Sequence, residues 1–121
     1  MFTDWLKTTR QLQALSYGVD PHLLVGVERA DYITWNLTAM VCELGEMMAE
    51  FPGWKTWVTR RGAVLNREEF IDEMVDALHF AGNILSAVGC TDEELTERYM
   101  KKVAINRVRM KSGTYDGVNN A

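Results

Sequence analysis

Glu43-Leu44-Gly45-Glu46 and Glu73-Met74-Val75-Asp76 decide how this chain is read. Each motif carries two acids at i,i+3 spacing. On a helix that spacing puts both carboxylates on one face, roughly 5–6 Å apart at Cβ. Both stretches read as helix, because apolar residues flank them at helical spacing: Met40, Val41, Leu44, Met47 and Met48 around the first, Phe70, Ile71, Met74, Val75 and Leu78 around the second. Neither motif has Lys or Arg at i+4, the partner of an ordinary surface ion pair. A single E-x-x-E on a helix is usually solvated surface, but two such pairs in apolar surroundings weaken that reading. Two helices that bring four carboxylates together repel unless cations sit between them. Carboxylate oxygens suit hard cations such as Mg²⁺ or Mn²⁺. The expectation is a carboxylate-only divalent metal site of Glu43, Glu46, Glu73 and Asp76.

Working outward, each motif sits in a long helical pattern. Val27 to Glu50 forms one helix, with Ile33, Leu37, Met40, Val41, Leu44, Met47 and Met48 as its apolar, core-facing stripe. Asn36, Glu43, Glu46 and Glu50 fall on a neighbouring stripe. Phe51-Pro52-Gly53 ends the helix. The second motif lies in a helix opened by the capping signal Asn66-x-x-Glu69 and closed at Gly89. Phe70, Met74, Ala77, Leu78, Ala81, Leu85 and Val88 are its expected core face, and Glu73, Asp76, Phe80 and Asn83 its second stripe.

Two further helices complete the pattern. One runs from Thr3, a candidate cap, to about Leu15 and stops at Ser16-Tyr17-Gly18. Asp20-Pro21 then begins a turn or short helix. The last helix, about Asp92 to Met110, follows the capping box Thr91-Asp92-Glu93-Glu94. Lys102, Asn106 and Arg109 line up on it, either as a solvated basic face or as a cationic strip for phosphate oxygens. Ser112 to Ala121 is rich in Gly and Asn and is expected to be a mobile tail. No strand alternation, repeat or Gly-rich phosphate loop occurs. The fold class is all-α, a four- to five-helix bundle, and residues 1–121 form one domain.

Composition removes several classes. At 121 residues and 47% hydrophobic content the chain has enough apolar material for a core. A net charge of −4 without a basic block argues against nucleic acid as a partner. No apolar run reaches membrane-spanning length, and MFTDWLKTTRQ lacks the apolar centre of a signal peptide. Cys42 and Cys90 have neither metal nor disulfide spacing, and Cys42 is expected to be a small buried hydrophobe. A reduced, cytoplasmic chain fits these features. Trp54-Lys55-Thr56-Trp57 reads equally as core or as a flat platform near a base, with Lys55 reaching a phosphate. His79 has no second His or Cys nearby to make it a metal ligand.

These features together resemble the all-α nucleoside triphosphate pyrophosphatase superfamily, which includes the MazG proteins and the dimeric dUTPases. The family's E-x-x-E then E-x-x-D pattern is matched by Glu43, Glu46, Glu73 and Asp76. Trp54-Lys55-Thr56-Trp57 is similar to the Trp- and Lys-containing segment after motif one in dimeric dUTPases, and Asp76-Ala77-Leu78-His79-Phe80 to their D-x-x-H-F segment. Tyr99-x-x-Lys102-x-x-x-Asn106-x-x-Arg109 with Gly113-Thr114-Tyr115-x-Gly117 resembles their C-terminal motif. The resemblance covers about Trp35 to Gly117.

It implies a metal-dependent pyrophosphohydrolase that turns a deoxynucleoside triphosphate and water into the monophosphate and diphosphate. The four acids would bind Mg²⁺, with Mn²⁺ as a substitute, and Glu43 or Glu46 would orient the attacking water. Lys102, Arg109 and Lys55 would hold phosphate oxygens. Asn83 and Asn106 would touch sugar or base, and Trp54, His79 and Phe80 would shape the base pocket. The family's Gln-rich N-terminal helix is matched only loosely, by Gln11 and Gln13, and its further C-terminal segment is absent. The base therefore stays open between dUTP and the purine nucleotides dGTP and dATP. The family habit, together with the broad Met- and Leu-rich faces, implies a homodimer or homotetramer, with Trp54, Lys55 or the tail crossing to a neighbouring site. The competing class is a non-enzymatic helical interaction protein with acidic surface stripes. A di-iron bundle needs Glu-x-x-His motifs, and none is present.

Overall fold

Local signals start and stop most of the helices. A computed structural model describes residues 1–63 and 66–113. It contains α1 (Trp5–Tyr17), α2 (Gly26–Glu50), α3 (Arg67–Ala87) and α4 (Asp92–Lys111), with 3₁₀ turns at Pro21–Leu23 and Pro52–Trp54. Among the described residues there is no strand, as the all-α reading expects. The Asn66 side chain accepts the Glu69 N–H at 3.0 Å to open α3, and Thr91 accepts the Glu94 N–H at 3.2 Å to open α4. Asp20 caps the first 3₁₀ turn through the His22 N–H while holding Arg10 in a two-pronged pair at 2.7 and 2.8 Å. The segment Thr114 to Ala121, with most of the expected mobile tail and Thr114, Tyr115 and Gly117 of the C-terminal motif, lies outside the described residues.

The start of α1 departs from expectation. Thr3 is not its cap. Asp4 holds that position in a left-handed conformation, φ 61°, and its side chain makes no capping bond. The cap comes instead from 86 residues away: Asp92 Oδ1 accepts the Leu6 N–H at 2.8 Å, and Oδ2 accepts the Lys7 N–H at 3.2 Å. A carboxylate from another helix satisfies two donors that α1 leaves open. Phe2 adds to this join, edge-on to Tyr99 and donating its N–H to Thr96 at 2.9 Å.

Packing centres on α2 against α3, with α1 laid on α3 and α4 meeting α1. Gly82 lets α1 approach: a Cβ there would lie 3.1 Å from Thr9 Cγ2 and 3.2 Å from its Oγ1. Thr9 is itself buried and ties its hydroxyl to the Trp5 carbonyl at 2.9 Å. Gly82→Ala is expected to push α1 off α3 and cost about 1–3 kcal/mol in urea unfolding. An unchanged midpoint would mean that the contact relaxes freely.

The core does not lie on the stripes that the apolar pattern suggested. Of the α2 stripe only Met47 is buried, and of the α3 core face only Ala77. Leu44 is 41% exposed and Met48 50%; Leu37, Val41, Met74, Leu78 and Val88 are exposed too. The helices meet through the polar stripes instead, where Asn36 and Asn83 are both buried and bonded to each other. The physical reason is valence. Two helices bury one face each, and each of these carries a polar stripe beside a wide apolar one. Cys42 is likewise exposed rather than buried, whereas Cys90 is buried.

Candidate active site

A line of paired side chains runs down the α2–α3 contact. At one end, Asn83 Nδ2 donates to Asn36 Oδ1 at 2.9 Å, and Asn36 Nδ2 donates to the Tyr32 carbonyl at 2.8 Å. Seven residues along α2 from Asn36 comes Glu43, and seven back along α3 from Asn83 comes Asp76. Two turns separate each pair, so the helices run antiparallel and both steps stay on the contact face.

The acids feel one another across this face. The Glu43 carboxyl is pushed above the ordinary Glu range, first by burial and then by the charges of Glu46 and Asp76. The Glu73 carboxyl is pushed up by burial, then by Glu46, Glu50, Glu69 and Glu43. Glu43 and Glu73 are half-buried, while Glu46 and Asp76 are exposed. Among the described residues no Lys or Arg forms an ion pair with any of the four. Glu73 Oε2 is shielded from solvent and has no hydrogen-bond partner. A half-buried anion with an orphaned oxygen and four acidic neighbours is short of positive charge. That donor set fits a hard divalent cation. In the described residues, however, no three Asp, Glu, His or Cys side chains already stand together as a metal cage.

The other expected site residues fall in three places. Phe80 and Asn83 lie on the α2–α3 contact. Phe80 is half-buried and meets Trp35 edge-on at 6.2 Å. Asn83 is only 4% exposed; its amide goes to Asn36, and its Oδ1 is buried without a partner. His79, beside Phe80, is exposed. Trp54 and Lys55 lie beyond the C-terminal end of α2. Trp54 lines a cleft of about 390 Å³ with Leu44, Met47, Met48, Phe51 and Phe70, and meets Trp57 edge-on at 5.8 Å. The Lys55 ammonium lies 5.2 Å from the Trp54 ring centre. Lys102, Asn106 and Arg109 lie along the exposed length of α4.

Sequence reasoning placed Asn36 on the acidic stripe without giving it a role, and passed over Trp35. The matching seven-residue steps, Asn36 to Glu43 and Asp76 to Asn83, were the available signal.

A family model described as dUTPase matches residues 9–87. No curated protein and no solved structure gives a significant match. The matched span holds α1 from Thr9 onward, all of α2 and α3, the four acids and the Asn36–Asn83 pair, and it ends before α4. It covers well over half of the sequence, and the chain belongs to the dUTPase family.

Proposed function

We propose that the protein is a metal-dependent deoxynucleoside triphosphate pyrophosphohydrolase. Family membership supports nucleotide pyrophosphatase chemistry at the level of the family. The single observation that carries the finer reading is the acidic line across α2 and α3, without a cationic partner among the described residues and with Glu73 Oε2 orphaned. Water adds to the α-phosphorus, the bond to the α–β bridging oxygen breaks, and diphosphate leaves. Glu43, Glu46, Glu73 and Asp76 would hold Mg²⁺, or Mn²⁺ in its place. When bound, the metal supplies charge neutralisation and a more acidic water. Glu43 or Glu46 would orient the attacking water and take up the proton it gives up. Asn36, locked between Asn83 and the Tyr32 carbonyl, keeps the two acidic helices in register. Lys102 and Arg109, with Lys55, are assigned to phosphate oxygens by their place in the motifs, and Asn106 to sugar or base.

The test is a substrate panel: Mg²⁺ with dUTP, dTTP, dCTP, dATP, dGTP and their ribose counterparts, products resolved. Monophosphate plus diphosphate from one or two of them is expected, and names the base. No turnover of any, with Mn²⁺ also tried, overturns the reading in favour of a helical interaction protein.

The exposed apolar faces of α2 and α3 support a homodimer, or a tetramer of dimers, as the working form. Light scattering at micromolar concentration is expected to give at least twice the 13.8 kDa chain mass. A monomer mass would remove this part of the proposal. No helix among the described residues is long and apolar enough to cross a membrane.

A further inference from the structure

Trp35 is 66% exposed at the edge of the α2–α3 contact. A bare indole is a large apolar surface to leave in water. The Phe80 ring meets it at 77° between planes, so at most one indole face is used within the chain. Beside it opens a groove of about 430 Å³, lined by Trp35 with Asp31, Thr34, Thr38 and Ala39. That volume is in the range of small-molecule sites.

Helical register ties this groove to the acids. Trp35, Ala39, Cys42 and Glu46 follow one another at steps of four, three and four, which is one face of α2. Cys42 and Glu46 are exposed on that face, and the two residues between its aromatic and acidic ends are small. The stripe therefore runs from the indole and its groove, over two small residues, to a carboxylate at the other end. Its ends are about 17 Å apart along the axis, and Glu43 is about 12 Å from Trp35. On α3, Phe80 lies about 10 Å from Glu73 by the same rise. A nucleoside triphosphate has the matching layout: a flat base, a small sugar, then the phosphates.

We propose that Trp35 is the stacking platform for the substrate's base, with Phe80 at its rim, and so sets how tightly a base is held. This rests on the pyrophosphohydrolase reading and adds a residue to it. Stacking is tolerant of base identity because every base has a π-face, so the platform supplies affinity for nucleotides over bare polyphosphates.

The test uses Trp35→Ala and Trp35→Phe in steady-state kinetics with the deoxynucleotide that the wild type prefers. Trp35→Ala is expected to raise KM about tenfold, the size of one lost base–aromatic stack, with kcat within about twofold. Trp35→Phe is expected to restore most of the loss. Tripolyphosphate, which has phosphates but no base, is expected to inhibit wild type and Trp35→Ala equally. An unchanged KM in Trp35→Ala overturns the proposal. So does an equal loss of tripolyphosphate inhibition, which would mark a structural role. Absence of turnover by the wild type would overturn the pyrophosphohydrolase reading, and this inference with it, before any variant is made.

Discussion

Glu73→Gln is expected to lower Mg²⁺-dependent diphosphate release at least about a hundredfold, while raising the melting temperature of the metal-free protein at pH 7. The two effects share one cause. The Glu73 carboxyl is pushed up by burial and by Glu46, Glu50, Glu69 and Glu43, with no cation to offset them. A carboxyl whose folded pKa is raised binds its proton more tightly folded than unfolded. Its contribution to stability is fully present below the ordinary value of 4.5 and is lost as pH rises through the folded value. At pH 7 the ionised group therefore works against folding, and glutamine removes that repulsion. The gain is expected at pH 7 and to vanish toward pH 4. Mg²⁺ is expected to raise the wild-type melting temperature and to leave the variant nearly unmoved. Activity close to wild type would remove Glu73 from the metal set. A lower melting temperature at pH 7 would contradict the electrostatic account.

Asp92→Ala carries the largest expected stability loss. Asp92 is 9% exposed and accepts the N–H groups of both Leu6 and Lys7. It is also the first residue of α4, so one carboxylate faces the positive N-terminal ends of two helices. Alanine leaves two donors orphaned at a join that water reaches poorly, since Leu6 is buried. A cost of about 2–3 kcal/mol follows from bonds to a charged acceptor. Urea unfolding monitored by circular dichroism checks it, and Asp92→Asn, which keeps one acceptor oxygen, is expected to recover part of the loss. Because the acids sit on α2 and α3, the Mg²⁺ response of the folded fraction is expected to be unchanged. A loss below about 0.5 kcal/mol would mean that α1 finds another cap.

Much of this molecule is legible along the chain, for local reasons. Asn66 and Thr91 announce their helices because a side chain three residues from an open N–H can reach it without help from any other element. Gly18 and Gly89 mark helix ends because their backbones turn to positive φ, where a Cβ is disfavoured. The acidic motifs are visible because i,i+3 spacing on a helix places both carboxylates together whatever the helix packs against.

Which stripe faces which could not be read that way. The apolar residues of α2 and α3 have the period of a buried face, yet the helices join through Asn36, Asn83 and the acids and leave Leu44 and Met48 in the open. Periodicity shows that a face is apolar, not whether its cover comes from the same chain. The α1 cap was hidden for a related reason: Asp92 is far away in sequence, and only the packing of α4 on α1 brings it near. Local hydrogen bonding and helical spacing thus determine the elements and the acidic pairs. The pairing of faces depends on which surfaces compete for burial once the whole chain is assembled, and no single stretch of sequence contains that competition.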